Sequence, residues 1–309
     1  MLLPLLVVIL GVILLYRWYR QRQLLENLTD KYVFITGCDS GFGNLLAKQL
    51  DRRGMKVLAA CLTQTGAENL KKETSSRLQT TILDVTDTKS VSSAAEWVAT
   101  VVGNQGLWGL VNNAGFGFAF GANEWQTKED FSKVLNVNFL GTVDVTLQLL
   151  HLVRKTQGRV VNVASSLARL PLVGGGYCPS KAAVEAFSDS LRREMHHFGV
   201  KVSIIEPGCY KTQMTADWDS HRNNVTRLWE KISTPIKEDY GNDYFQLYLK
   251  NLKDLTGKSN PRIHEVTDCM EHALTAAHPW TRYSPGWDNM LLYIPLSYAP
   301  TAVSDYIFS

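Results

Sequence analysis

The chain has 309 residues, 45% of them apolar and 20% charged, with a net charge of +3. So small a basic surplus, with no long Lys/Arg run, leaves no electrostatic footprint for nucleic acid, and the length suits one large α/β domain or two small ones. Five cysteines (Cys38, Cys61, Cys178, Cys209, Cys269) lack C-x-x-C spacing and the seven histidines lack ligand spacing, so reduced thiols are expected, with no disulfide framework and no metal.

Leu2 to Tyr16 is almost wholly apolar and is followed by Arg17-Trp18-Tyr19-Arg20-Gln21-Arg22. Fifteen helical residues reach about 22 Å, short of a ~30 Å hydrocarbon core. Trp18 and Tyr19 can sit at the interface, however, and the arginines can snorkel. Bulky and basic residues stand where a cleaved signal peptide needs small ones, so residues 1–23 are expected to be an uncleaved membrane anchor. The arginines lie downstream, which places the rest of the chain on the cytoplasmic side by the positive-inside rule. The sequons Asn27-Leu28-Thr29 and Asn224-Val225-Thr226 would matter only on a luminal domain.

Residues 24–309 are expected to form a single domain. Apolar runs at Tyr32–Thr36, Lys56–Cys61, Thr80–Leu83, Gly109–Asn112, Arg159–Ala164 and Lys201–Glu206 read as six buried parallel strands. Helical stretches separate them, among them Asn44–Arg53, Lys89–Val102, Lys128–Leu152 and Cys178–Phe198. This alternation implies right-handed crossovers and a doubly wound, Rossmann-like parallel α/β sheet. Residues 213–260 break the pattern with Trp218, Trp229, Tyr240, Tyr244, Phe245 and Tyr248 among charges, which reads as a helical insertion, a substrate lid, or both. The apolar tail, residues 290–309, is interrupted by Pro295, Pro300 and Asp305. It is a poor spanning helix, able to pack on the domain or rest on a bilayer.

Thr36-Gly37-Cys38-Asp39-Ser40-Gly41-Phe42-Gly43 follows the first strand and opens the first helix. Gly37 permits a tight turn, Gly41 lets the backbone approach a pyrophosphate, and Gly43 lets the helix pack close to the sheet. The helix N-terminus behind them offers N–H groups to phosphate. Further along, Tyr177-Cys178-Pro179-Ser180-Lys181 sets a phenol and an ammonium four residues apart, on one helix face. A cation about 4 Å from a phenol is worth roughly 4 kcal/mol at an effective dielectric near 20, or about three pKa units before desolvation. Lys181 is therefore expected to lower the Tyr177 pKa into working range for proton transfer. Pro179 is tolerable if it falls in the first helical turn.

The glycine spacing resembles that of short-chain dehydrogenases/reductases. So do Asn112-Asn113-Ala114-Gly115, Asn136-Val137-Asn138-Phe139-Leu140-Gly141, Ser165 twelve residues before Tyr177, and Pro207-Gly208-Cys209-Tyr210-Lys211-Thr212. The phrases FITGCDSGFG, LAAC, LDVTD, GLWGLVNNAG, GGGYCPSK, EAFSDSLRRE and RYSPGWD extend the similarity almost end to end, toward the membrane-anchored retinol and hydroxysteroid dehydrogenase branch.

This resemblance implies an oxidoreductase that moves a hydride between a nicotinamide cofactor and a lipophilic alcohol, a retinol or a 3α/17β-hydroxysteroid. It implies that Tyr177 exchanges the proton, Lys181 lowers its pKa and binds the nicotinamide ribose, Ser165 hydrogen-bonds the reacting oxygen, and Asn138 holds a water that links Lys181 to solvent. Ser165 and Tyr177 would then contact substrate. Gly37, Ser40, Gly41, Phe42, Gly43, Asp84, Asn112, Gly115, Tyr177, Lys181, Pro207, Gly208 and Thr212 would line the cofactor, Asp84 either meeting the adenine or merely capping its own turn. An endoplasmic reticulum membrane location and a homodimer through the 128–152 and 178–198 helices are also implied. The departures are specific. After the second strand, Cys61-Leu62-Thr63-Gln64 offers neither the acid that binds a ribose 2′-hydroxyl nor a base for a 2′-phosphate. The reading leans to NAD and leaves NADP open. Pro179 and Ala168 sustain an alternative, a catalytically weak member that binds cofactor and lipid.

Overall fold

The computed structural model describes residues 2–117 and 120–308; Met1 and Ser309, at the ends of the expected anchor and tail, lie outside them. In chain order the helices are α1 (Leu2–Gln21), α2 (Gly41–Arg52), α3 (Gln64–Lys72), α4 (Thr88–Val102), α5 (Lys128–Leu135), α6 (Gly141–Lys155), α7 (Tyr177–His196), α8 (Gln213–Ala216), α9 (Trp218–Lys231), α10 (Thr234–Gly257), α11 (His264–Thr275), α12 (Ile294–Leu296) and α13 (Thr301–Phe308). The strands are β1 (Tyr32–Ile35), β2 (Lys56–Cys61), β3 (Gln79–Ile82), β4 (Gly109–Asn112), β5 (Arg159–Val163), β6 (Lys201–Ile205) and β7 (Arg282–Tyr283). Among the described residues they form one parallel sheet in the order β3-β2-β1-β4-β5-β6-β7.

Strand order reverses between β1 and β4, so the crevice beyond their carboxyl ends is where this architecture takes a ligand. Strand alternation splits the core into two layers. Val33 and Ile35 pack with Leu46, Leu50, Val266 and Met270 of α2 and α11, while Phe34 packs on the other face with Val98, Leu149 and Met195 of α4, α6 and α7.

Two elements differ from expectation. Two-residue β7 carries no periodic signal of its own; it is fixed by pairing with β6 and by Tyr283, which is 2% exposed. The expected single helix over 128–152 is broken by a π turn, Asn136–Leu140, between α5 and α6. Such turns recur at functional sites, and this one carries Asn138. Residues 213–260 form the expected helical insertion, α8, α9 and an α10 kinked at Gly241, and α9 and α10 share a small core with Trp125 in which Val225, Leu228, Phe245 and Leu252 are buried.

The expected anchor is helical as α1, and its exit is tied to the domain. Leu25 N–H donates to Thr275 O at 2.8 Å, and the His272 ring bonds Gln21 O at 2.8 Å. Among the described residues no helix is long and apolar enough to cross a membrane.

Candidate active site

A cleft of about 980 Å³ opens over the carboxyl ends of β1, β2, β4 and β5. The glycine loop is its floor. Gly37 and Gly41 have φ of +69° and +63°, conformations that suit glycine, and only the Thr212 side chain, 3.8 Å away, stands near a Cβ built on Gly41. A Cβ on Gly43 would collide with Gly37 O and come within 2.5 Å of Asn113 Nδ2. Gly43 thus lies beneath the cleft and lets α2 sit against the loop. Phe42 turns its ring onto Tyr210, edge to face at 5.9 Å.

Gly37, Ser40, Gly41, Phe42, Asp84, Gly115, Ser165, Tyr177, Lys181, Pro207, Gly208 and Thr212 all line this cleft. Asn112 does not, which corrects its placement as a cofactor contact. Its side chain turns into the sheet, where Nδ2 donates to Thr146 Oγ1 and Asn162 Oδ1, each at 2.8 Å. The neighbouring Asn113 faces the loop, because successive strand residues point to opposite faces. Its Nδ2 donates to Thr36 O at 2.9 Å and Gly37 O at 3.1 Å, and its backbone N–H to Thr36 Oγ1 at 3.0 Å. Reading by motif passed over Asn113 and Thr36. Asp84 caps its own turn, accepting from Thr86 N and Oγ1 at 2.9 and 2.7 Å, and also borders the cleft.

The catalytic candidates come from β5, α7 and the π turn. Pro179 is the third residue of α7, within its first turn, so it leaves the Tyr177–Lys181 register intact. Ser165 is 5% exposed; its Oγ accepts from Leu167 N at 3.2 Å. Tyr177 lines the cleft beside it. Burial pushes the phenol up to about 12, and a hydrogen bond with the Ser165 hydroxyl works in the opposite direction. Lys181, 5% exposed, donates from Nζ to Val163 O at 2.8 Å and stands 5.9 Å from the Tyr177 ring centroid. Burial pulls this ammonium down to about 8. The expected lowering of the Tyr177 pKa by Lys181 is therefore not what the chain alone provides. The lysine is held by a strand carbonyl instead of the phenol, and desolvation dominates both groups.

Asn138 is 1% exposed and lies behind the cleft. Its Oδ1 accepts from Phe116 N at 2.9 Å, and its Nδ2 donates to Phe116 O and Ser180 Oγ, both at 3.0 Å. A Cβ on Gly115 would stand 3.1 Å from Asn138 Oδ1 and 3.3 Å from Lys181 Nζ, so glycine lets β4's end pack against both.

The insertion closes one side. Met214, Thr215, Asp217, Ser220, His221 and Asn224 of α8–α9 line the cleft, and the Phe120 ring stands 5.7 Å from Tyr177 and 5.6 Å from His221. The insertion therefore has its own core and also walls the cleft. Its sequon is helical: Asn224 faces the cleft and Val225 is fully buried.

A glycine-rich strand-to-helix turn at the switch point of a parallel sheet, next to a serine, a tyrosine and a lysine, defines a dinucleotide-dependent oxidoreductase site. A sequence model of the short chain dehydrogenase family matches residues 31–223, and the chain belongs to that family. It is 59% identical to retinol dehydrogenase 16 of Mus musculus, across 97% of this chain and 94% of that protein. To short-chain dehydrogenase/reductase family 9C member 7 of Homo sapiens it is 54% identical, across 96% and 94%. Among solved structures, a short chain dehydrogenase/reductase from Burkholderia phymatum in complex with NAD shares the fold, with a TM-score of 0.71 at 20% identity over 89% of this chain and 98% of that one.

Proposed function

We propose that this chain oxidises a lipophilic alcohol, a retinol or a 3α/17β-hydroxysteroid, with a nicotinamide dinucleotide as hydride acceptor, or runs the reverse reduction. The observation that carries the reading is that Ser165, Tyr177 and Lys181 line one cleft floored by the glycine loop. The Mus musculus relative, 59% identical across 97% of this chain, is a retinol dehydrogenase by name.

The residues present fit the cofactor. The open space over Gly41 and the N-terminus of α2 suit a pyrophosphate, and Lys181 can reach a ribose hydroxyl from the cleft wall. When bound, the cofactor supplies the hydride acceptor and, oxidised, a positive charge that favours ionisation of a nearby phenol. Ser165 orients the alcohol oxygen and Tyr177 takes its proton. Asn138 holds the Phe116 backbone and Ser180, and through them the position of Lys181. The apolar wall of Phe120 and Met214 suits an alcohol that partitions into lipid.

Membrane association belongs to the same reading. It is supported by exposed Val8, Val12 and Leu15 on α1, by exposed Trp18 and Tyr19 at its end, and by the stacking of Arg22 on Trp18 at 4.0 Å. The reading places the domain on the cytoplasmic face of the endoplasmic reticulum, as a homodimer through α6 and α7. Turnover of all-trans-retinol and of a 3α-hydroxysteroid by membrane fractions, each with NAD and NADP, tests it. Nicotinamide absorbance should change with one of these pairs and stay flat with Tyr177→Phe, which should still bind cofactor. Cofactor binding without any turnover would favour a carrier of cofactor and lipid.

A further inference from the structure

The sequence has no acid after the second strand, yet the structure puts one there. Asp39, from the glycine loop, reaches across to the end of β2. Its Oδ2 accepts from Leu62 N at 2.7 Å, and its Oδ1 from Thr63 N at 2.9 Å and Thr63 Oγ1 at 2.7 Å. Thr63 in turn caps α3, accepting from Gly66 N at 3.0 Å. A Cβ on Gly66 would strike Asp39 Oδ1 and lie 2.9 Å from its Cγ, so the glycine makes room for the carboxylate over the first turn of α3.

A carboxylate has about four acceptor positions. Three are used here, and the remaining one is on Oδ2, on a side chain that lines the cleft together with Ser40, Leu62 and Gly66. This is where the fold meets the adenosine ribose. Among the described residues lining the cleft, Lys181 is the only Lys or Arg. It belongs to the β5 side, three strand positions from β2, or about 14 Å at ordinary strand spacing. The two carboxylates of Asp39 and Asp84 face that end instead.

We propose that Asp39 sets the cofactor preference of this chain: its open acceptor position takes the ribose 2′-hydroxyl of NAD, and its charge, fixed by the backbone donors Leu62 and Thr63 just after β2, rejects the 2′-phosphate of NADP. The proposal rests on the nicotinamide-cofactor reading above and adds the residue that chooses between the two dinucleotides.

Binding, not turnover, tests it. The full-length chain in detergent is titrated with NAD, NADP and 2′-deoxy-NAD by tryptophan fluorescence, alongside Asp39→Asn. The unmodified chain should bind NAD at least about a hundredfold tighter than NADP, the cost of a phosphate beside a fixed carboxylate. It should bind 2′-deoxy-NAD about tenfold more weakly than NAD, as expected for a lost hydrogen bond to a charged group. In Asp39→Asn the preference for NAD should narrow at least about tenfold and the deoxy penalty should shrink. Equal weakening of NAD and NADP in the variant would make Asp39 only a clamp on the loop and overturn the proposal. So would the absence of a deoxy penalty in the unmodified chain, a comparison that decides the matter even if Asp39→Asn does not fold. Failure of the unmodified chain to bind either dinucleotide would overturn the cofactor reading itself, and this proposal with it.

Discussion

Asn138→Ala is the sharpest test of how the site is held. The side chain is 1% exposed and makes three hydrogen bonds of 2.9–3.0 Å, two to the Phe116 backbone and one to Ser180 Oγ. Ser180 keeps its bond to Tyr177 O at 2.7 Å, so its loss is partial. The part-buried Phe116 N–H and C=O each lose a partner, at about 1–3 kcal/mol apiece. The total is about 2–6 kcal/mol, which at about 2–4 °C per kcal/mol for a large domain lowers the unfolding midpoint by roughly 4–24 °C. Kinetically, Gly115 and Lys181 sit against this amide, so kcat should fall more than the cofactor KM rises. Asn138→Asp adds a control. It keeps an acceptor for Phe116 N–H but aims oxygens at Phe116 O, so burial raises its folded-state pKa. That stabilisation is present in acid and lost as pH rises, and the variant should be least stable above neutrality. Differential scanning fluorimetry from pH 5 to 8, with retinol turnover, measures both. A midpoint within about 1 °C of the unmodified chain, with kcat unchanged, would refute the positioning argument.

Gly43→Ala drives a methyl into Gly37 O and Asn113, which should cost about 1–3 kcal/mol and weaken cofactor binding about tenfold in the same titration. Trp125→Ala removes the ring that Trp229, Tyr240, Phe245 and Tyr248 pack around; a loss of about 3–5 kcal/mol confined to the insertion should raise the alcohol KM while the cofactor affinity holds. Lys181 is pulled down to about 8 by burial. Between that value and its unfolded value near 10.4 the unfolded chain binds the extra proton, so this lysine makes stability fall as pH is lowered from about 10 through 8. Lys181→Met should abolish that slope in thermal melts. Arg282 ties Glu185, Glu206 and Asp189 at 2.7, 2.5 and 2.6 Å. Arg282→Met leaves Arg169 on Glu206 and Glu185, at 2.8 and 3.5 Å, and Arg192 on Asp189 at 3.4 Å, so it should cost about 1–3 kcal/mol in denaturant unfolding.

The strands were legible because parallel strands buried on both faces read as plain apolar runs, and Gly109–Asn112 matches its run residue for residue. The glycine loop was legible because a strand-to-helix turn around phosphate tolerates few residue types. Side-chain direction was not. Asn112 and Asn113 are the same residue type one position apart, and only the register of β4 against β1 and β5 decides which faces the loop. The π turn under Asn138 is a backbone event with no compositional mark. Asp39 carried a signal that the one-dimensional order hid. It lies 22 positions before Cys61 in the chain but beside it in space, because β1 and β2 pair in parallel and end together.

The electrostatics of Tyr177 and Lys181 then assign the work between chain and cofactor. Burial holds the phenol near 12 and the ammonium near 8, so at neutral pH the unassisted chain keeps the proton on Tyr177. Ser165 alone offsets only part of that desolvation. A further positive charge in the cleft is what brings the phenol into range for accepting a proton. Alcohol oxidation needs the ionised phenol and so should accelerate with rising pH, while carbonyl reduction, which needs the protonated phenol, should not. Steady-state kcat/KM from pH 6 to 9.5 in both directions measures this. An oxidation rate flat across that range, with Tyr177→Phe still inactive, would mean that proton transfer from the alcohol to Tyr177 does not limit the reaction.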